Sequence, residues 1–386
     1  MSISTERIPP AETPDPKVPG TKAAGAKVPH TKWGIAALYG LVGSLVVGIL
    51  VLAFSWPAAT AKAQNLPVGI SGPSAQVTQL EDALARQNPS PFALQNVASR
   101  ADAVSKIQQR EIYGAILLGS QPEVLLSSAA SPVAAQALRA VGTQLQTQIS
   151  TAVQQALEAK LQGIVAALKS GQVPALGDSA AAAAPTVAVT DVVPLAAADP
   201  NGSGLAVAAF PLVLGGILGG VLISLLVAGA IRRLVSVAAL AVGGGVAVAA
   251  VLQSWFGILQ GSFALNALAI GLSMAATAAL IVGLNALIGP AGIGVGAFIT
   301  MLIANPIAGA TMPWQFVPAP WGAVGQFFVP GAANTLVRSL SYFPDAATAA
   351  QWLTLAAWLT AGVILTIIGH FRDTPDMRVP ASQLEA

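Results

Sequence analysis

The chain has 386 residues, of which 54% are hydrophobic and 9% are charged, and its formal net charge is +2. Because soluble domains carry roughly 25% charged residues, this composition indicates a membrane protein, with the lipid bilayer as its main partner. The absence of cysteine excludes disulfides, Cys-ligated zinc and a thiol nucleophile. No basic cluster is dense enough to predict nucleic-acid binding.

The N-terminal part predicts a tail followed by a membrane helix. Residues 1–32 contain six prolines and few large apolar side chains, so we expect a disordered tail. Residues 33–56 are the first predicted transmembrane helix, and Trp33 and Trp56 would lie about 34 Å apart along it, in the two headgroup layers. A cleaved signal peptide is the alternative, since Ala61-Lys62-Ala63 resembles a cleavage site. The apolar run exceeds the ~7–15 residues of a signal-peptide core, which favours a retained helix.

Residues 57–204 have a different composition and predict a soluble α/β domain. They hold eight Lys/Arg and nine Asp/Glu, half of the charged residues of the chain. Alternating and short apolar runs predict strands, and 3.6-residue periodicity predicts helices between them, in the order β-α-β-α-β-β. The predicted strands are Leu66–Ser71, Phe92–Val97, Ile112–Leu118 and Val124–Ser127, with a further strand-like piece at Thr186–Val193.

A long helix is predicted at residues 131–170, with Ser131 as its cap and Pro132 in its first turn. One apolar stripe repeats every 3.75 residues, near the period of an α-helical face: Leu138, Val141, Leu145, Ile149, Val153, Leu157, Leu161, Ile164 and Leu168. The stripe either packs on its own domain, which we favour, or forms a self-associating or substrate-lining arm. Residues 171–204 are a Pro/Ala linker that leads back to the membrane.

Residues 205–370 predict a membrane domain of five helices, at about 205–231, 234–252, 265–287, 293–307 and 352–368. Within it, the 104 residues from Leu234 to Val337 contain no Asp, Glu, Lys, Arg or His. The second span carries a strip of small side chains, which allows close helix–helix contact within one chain or in a homodimer. The predicted helix-packing residues are Gly215, Gly216, Gly219, Gly220, Ser224 and Ala228.

Residues 312–343 do not fit a membrane span, because four prolines interrupt them and the end becomes an amphipathic helix. We expect this segment to lie in the headgroup layer. The residues predicted to be interfacial, here and at the helix ends, are Trp33, Trp56, Trp255, Trp314, Trp321 and Arg338.

The basic residues predict the orientation of six spans. Lys17–Lys32, Arg232-Arg233, Arg372 and Arg378 all fall on one side, which the positive-inside rule makes cytoplasmic. Both termini, including a tail at 371–386, are then cytoplasmic in the cell membrane. The α/β domain and the interfacial segment lie outside.

The sequence contains few candidate groups for catalysis, metal binding or ion coupling. The predicted spans contain no carboxylate or histidine, which argues against ion-coupled transport. There is no phosphate-binding G-x-x-x-x-G-K-[ST] loop, and two histidines are too few for a convincing metal site. We therefore expect no cofactor and no enzyme activity. The most polar side chains of the spans either bond between helices, which we favour, or line a substrate path: Asn266, Asn285 and Asn305.

The layout resembles the membrane subunits of type 2 ABC transporters, near the phage-infection-protein branch. Three segments carry the resemblance: Leu66-Pro67-Val68-Gly69-Ile70, Asp102–Gly119 and Phe328–Phe343. The resemblance implies an export permease for a hydrophobic or amphiphilic compound, homodimeric and powered by a separate ATPase. The chain departs from that pattern at Arg232-Arg233, where the connection is too short for a coupling helix. A non-transporting envelope or receptor-like protein, whose external domain binds a partner, is the alternative.

Overall fold

The structure is a computed structural model that describes residues 32–86, 90–170 and 185–371. The predicted tails, apart from residues 32 and 371, and the first part of the predicted linker, 171–184, lie outside the described residues. The chain divides into two units, residues 1–49 and 50–386. The first helix, α1, is Trp33–Thr60. By its length and composition, α1 could cross a membrane.

A small α/β lobe, residues 66–191, follows α1. Its elements confirm the predicted β-α-β-α-β-β order. They are β1 Leu66–Ser71, α2 Ser74–Ala85, β2 Phe92–Asn96, α3 Arg100–Gln108, β3 Gly114–Leu117, β4 Glu123–Leu126, α4 Pro132–Lys169 and β5 Ala188–Asp191. Helix α3 begins where expected because the Ser99 hydroxyl accepts the Asp102 N–H, a standard helix cap.

The five strands form one mixed sheet in the order β2-β1-β3-β4-β5. Only the β3–β4 pair is antiparallel; the other neighbours are parallel. Side chains alternate between the two faces. Ile116 and Val124 pack with α2 and α4, whereas Ala115 and Leu125 pack with α3. Helices cover both faces, which explains why the strands are almost wholly apolar.

Helix α4 packs along only part of its length. Its first turns are buried in the lobe through Ala134 and Leu138. Farther along, Leu157 is 56% exposed and Leu168 is 61% exposed. The expectation that the whole stripe packs on its own domain is therefore wrong for the second half, because α4, at about 57 Å, extends beyond the sheet that it covers.

The helix bundle follows the lobe in the chain. Its elements are α5 Ser203–Leu226, α6 Ala230–Ala249, α7 Phe263–Ile288, α8 Pro290–Phe298, α9 Trp321–Gly325, α10 Val329–Tyr342 and α11 Ala349–His370. Wider π-helical turns extend α6 to Trp255 and α8 to Ala304.

Within the described ranges, five helices are long and apolar enough to cross a membrane. They are α1, α5, the extended α6, α7 and α11. The predicted span at 293–307 corresponds to Pro290–Ala304, about 22 Å of helix, which is shorter than a hydrocarbon core of ~30 Å. Pro306 lies two residues beyond its end, and the helix does not extend past Ala304.

Helix α7 lies at the centre of the bundle, and most of its side chains are buried. Glycines on its neighbours let their backbones approach closely. A Cβ on Gly216 would lie 2.9 Å from Thr277 Cβ, and one on Gly220 would lie 3.0 Å from Ala278 Cα. Gly245 of α6 and Gly362 of α11 meet the α7 backbone in the same way.

The connection between α5 and α6 differs from the prediction. Helix α5 ends at Leu226, and Gly229 turns the chain with a φ of 89°. Arg232 and Arg233, predicted to separate two spans, lie in the first turn of α6. The Arg233 Nε donates to Val227 O (2.9 Å) and Nη2 donates to Ser224 O (3.2 Å), closing the end of α5. The packing strip was predicted to include Ala228; that is wrong because Ala228 lies in the connection.

Candidate ligand site between the lobe and the bundle

The lobe is fixed to the bundle through α10. Phe343, at the end of α10, is 1% exposed and packs on Ala129 and Ala130 of the lobe. Two arginines cross the same junction in opposite directions. Arg110 of the lobe donates from Nη1 to Thr335 O (3.0 Å) and Ser339 Oγ (2.6 Å), and Arg338 of α10 donates from Nη1 to Ala129 O (3.0 Å).

Local structure explains why Arg110 reaches the junction. It follows α3 in a turn with a φ of 59°, a left-handed conformation that reverses the chain before β3. Its guanidinium then lies over the Phe343 ring, 5.2 Å from the centroid, a distance typical of a cation–π contact. Arg338 is only 7% exposed, so its side chain is covered by protein. The expectation that it faces lipid headgroups is not met.

The junction encloses a cavity of about 270 Å³, here called the junction cavity. Both arginines line it, together with polar side chains of the lobe and the bundle, and none of the lining residues is Asp or Glu. The starts of α4 and α5 and residues 309–314 also line it. Glu111 lines a neighbouring cavity, which Arg110 lines as well.

The buried guanidiniums have shifted pKa values. Burial, and to a lesser extent the positive charge of Arg110, lower the pKa of Arg338 to about 10. Burial also lowers the pKa of Arg110 and raises the pKa of Tyr113. Asp199 attracts Arg338 but is occupied by the Gly204 N–H (2.9 Å) and the Ser203 hydroxyl (3.5 Å). Neither arginine forms an ion pair with a residue that the structure describes.

A smaller pocket of about 30 Å³, enough for roughly one water, lies next to the junction cavity inside the bundle. The two share Ala310 and Asn334 as walls. Apolar side chains of α5, α7 and α10 line most of the pocket, and Ser273, Thr277 and Asn305 supply its other polar groups.

The three predicted path residues are not brought together. Asn305 lines the small pocket. Asn266 is fully buried and donates to Gln253 Oε1 (2.9 Å) and Gln260 O (2.8 Å). Asn285 is also buried on α7, but it is 19 residues farther along, about 28 Å of helix. Of the three, only Asn305 lines the small pocket next to the junction cavity.

An apolar groove of about 510 Å³ lies between the lobe-facing ends of α5 and α6. Its lining includes Pro211, Leu212, Val251 and Phe256 and has almost no polar atoms. Because the groove is open on the outer surface of the bundle, lipid or an acyl chain is the occupant that its chemistry suits.

The tryptophans predicted to be interfacial lie at several element ends. Trp255 ends the extended α6 and is 81% exposed, and Trp321, which begins α9, is 46% exposed. Trp314 begins a short 3₁₀ turn and borders the junction cavity. Trp56 lies inside α1, and Trp33 is its first residue.

Sequence reasoning missed Arg110 as a site residue, and no local pattern around it could have singled it out. Arg338 could be singled out from the sequence because it is the only charged residue between Arg233 and Asp345. A lone cation in so long an uncharged stretch is expected to have a specific role. Its partner across the junction lies more than 200 residues away in the chain and could not be inferred.

Comparison of the chain with protein-family models, with curated proteins and with solved structures finds no match. The fold and the junction cavity therefore define only a class, a helical membrane protein that carries a small α/β lobe on its bundle. The family relationship expected from the sequence stays a prediction.

Proposed function

We propose that this chain is the membrane subunit of an exporter-like permease that moves an amphiphilic compound across the cell membrane. The observation that carries the proposal is that the junction cavity shares two wall residues, Ala310 and Asn334, with a small, mostly apolar pocket inside the bundle. A polar head would enter between the lobe and α10. Its apolar part would follow along α5 and α7 once the small pocket, which has room for roughly one water, widens. An amphiphile is the ligand class that needs both environments at once.

The proposed arrangement has six membrane segments, with Pro290–Ala304 as the short one, and places residues 57–204 outside the cell and both termini in the cytoplasm. The distribution of short-loop Lys and Arg supports this orientation. The resemblance to type 2 ABC transporter subunits supports a homodimer and a separate ATPase as partners.

A second candidate is a non-transporting envelope or receptor-like protein whose lobe binds a partner. It is favoured by the short connections on the proposed cytoplasmic side, Val227–Gly229 between α5 and α6 and Gly289 alone between α7 and α8. Within the described bundle, neither connection contains a helix that an ATPase could contact.

The test is purification of the tagged full-length chain from its native membrane in mild detergent. The permease proposal expects a co-purified ATPase whose hydrolysis rises when a single-chain anionic amphiphile is added. Ala310→Trp, at the wall that the two cavities share, should reduce that stimulation. Gly243→Ala, where an added Cβ meets nothing within 4 Å, should not. Purification without an ATPase, and liposomes that move no amphiphile, would favour the second candidate.

A further inference from the structure

We propose that the junction cavity is an oxyanion site that binds a phosphate or carboxylate group between Arg110 and Arg338. The proposal deepens the proposed function, because it names the ligand class of the same cavity and rests on that cavity being the entry. Binding is measured without transport, so either proposal can fail alone.

The first argument is charge. Two guanidiniums from separate elements line one cavity that has no acidic lining residue. Placing two like charges near each other in a partly dehydrated space is unfavourable for folding. A bound anion would relieve both the repulsion and the lost hydration. The lowered pKa of Arg338 agrees with an uncompensated pair.

The second argument is that both arginines keep N–H donors that the junction does not use. A guanidinium has five N–H donors in a planar fork. The bonds that fix the junction use only Nη1 of each arginine. Nε and Nη2 of both side chains have no hydrogen bond to any described residue. A structural tie alone could be made by a neutral amide, whereas a planar fork suits phosphate and carboxylate.

The third argument concerns the source of the anion. The cavity shares Ala310 and Asn334 with a mostly apolar pocket that has room for roughly one water. A free anion would use the arginines alone. An acyl chain attached to the anion would enter that pocket only if the pocket widened, so the experiment compares the two sources directly.

The experiment measures binding to the full-length chain in phosphatidylcholine nanodiscs, with empty nanodiscs as the blank. The probes are dodecyl phosphate, inorganic phosphate and neutral dodecyl maltoside. We expect saturable phosphate binding that sulfate displaces and that neutral dodecyl maltoside does not show. Tighter binding of dodecyl phosphate than of inorganic phosphate would identify an amphiphile as the source of the anion, and equal affinity would identify a free anion. No binding of either would overturn the site.

Variants then locate the binding. R110Q and R338Q should each weaken dodecyl phosphate binding by about tenfold or more, because a charge-assisted contact is lost. R338K, which keeps the charge but loses the fork, should weaken it less. The matched control is R86Q, an exposed lobe arginine at the end of α2, which should bind as the wild type does. Binding that R110Q and R338Q leave unchanged would place the ligand elsewhere and overturn the proposal. If these variants do not fold, failure of sulfate to compete in the wild type would overturn it as well.

Discussion

Asn266 illustrates how a polar side chain is accommodated in an apolar helix. It is fully buried, and its amide donates to Gln253 and to the Gln260 carbonyl while its oxygen accepts from the Ser341 hydroxyl at 3.5 Å. The side chain thereby joins α7 to the extended end of α6 and to α10. Its role in the structure is to hold the bundle together at the end that meets the lobe.

Asn266→Leu should lower the free energy of unfolding by about 1–3 kcal/mol, because a buried amide donor and its partners lose their bonds. Asn305→Leu is the matched control, since Asn305 is only partly buried and has no side-chain hydrogen bond to the described residues. Its effect on stability should be smaller. Denaturant unfolding of both variants in the same detergent checks the difference, and equal losses would contradict the role given to Asn266.

The Arg100–Glu123 pair gives the lobe a pH dependence. Arg100 Nε lies 2.8 Å from Glu123 Oε2, and the Thr190 hydroxyl also donates to this carboxylate. The hydrogen bond from Arg100 lowers the pKa of Glu123 below its ordinary value of 4.5. The folded state therefore favours the charged carboxylate. The resulting stability is present above the unfolded pKa and is lost as the pH falls through the folded pKa.

Arg100→Gln should therefore lower Tm at pH 7, and the difference from the wild type should shrink as the pH falls below about 4. Thermal unfolding of the full-length chain between pH 3 and pH 7 measures this. Arg86→Gln, which removes a lobe arginine without an ion pair among the described residues, should show no such convergence. A difference that stays constant with pH would show that Glu123 does not carry it.

At the scale of elements, the bundle depends on close contacts around α7. Gly220 of α5 faces the α7 backbone, and a Cβ there would lie 3.0 Å from both Ala278 Cα and Ile281 Cβ. Gly243 of α6 faces open space, where a Cβ would meet no atom within 4 Å. The same residue type therefore has opposite surroundings on two helices that pack on the same centre.

Gly220→Leu should destabilise the bundle by about 1–3 kcal/mol or more, because α5 must move away from α7. Gly243→Leu, the matched control, should change stability far less, since its side chain would enter lipid. Unfolding of both variants in nanodiscs of one lipid composition checks this contrast. Equal destabilisation by the two substitutions would mean that the loss of stability comes from helix propensity and not from packing.

The stripe of α4 offers a comparison within one element. Leu138 is fully buried in the lobe, whereas Leu161 on the same stripe is 53% exposed. Leu138→Ala should cost about 2–5 kcal/mol, and Leu161→Ala should stay within about 0.5 kcal/mol. Thermal unfolding of the purified variants measures both. A large loss at Leu161 would reveal that another surface covers the second half of α4 in solution.

At the scale of the whole molecule, the proposed orientation can be tested cleanly because the chain has no cysteine. Glu158→Cys places a thiol on the exposed side of α4, and Arg232→Cys places one at the opposite end of the bundle. An impermeant maleimide should label the first variant in intact cells and the second only after permeabilisation. The cysteine-free wild type is the blank, and the reverse labelling pattern would place the lobe in the cytoplasm.

Much of the fold could be predicted because its signals are local. The runs that became α1, α5, α6, α7 and α11 are recognisable from length and hydropathy alone, and the strands of the lobe from their short apolar runs. The candidate site was harder to predict from the sequence. Arg338 stood out as a lone cation, but its burial and its pairing with Arg110 depend on contacts between distant parts of the chain.

The sequence by itself determined that the chain needs a bilayer, where its long apolar helices lie, and that an α/β lobe interrupts them. Only the tertiary structure decided that α7 is central, that half of α4 has no partner in the lobe, and that two arginines share one cavity. The physical reason is the same in each case. The local sequence determines which backbone conformation a segment adopts and which face of the helix or strand is apolar. Which other segment covers that face is determined by packing between parts of the chain that are far apart in sequence.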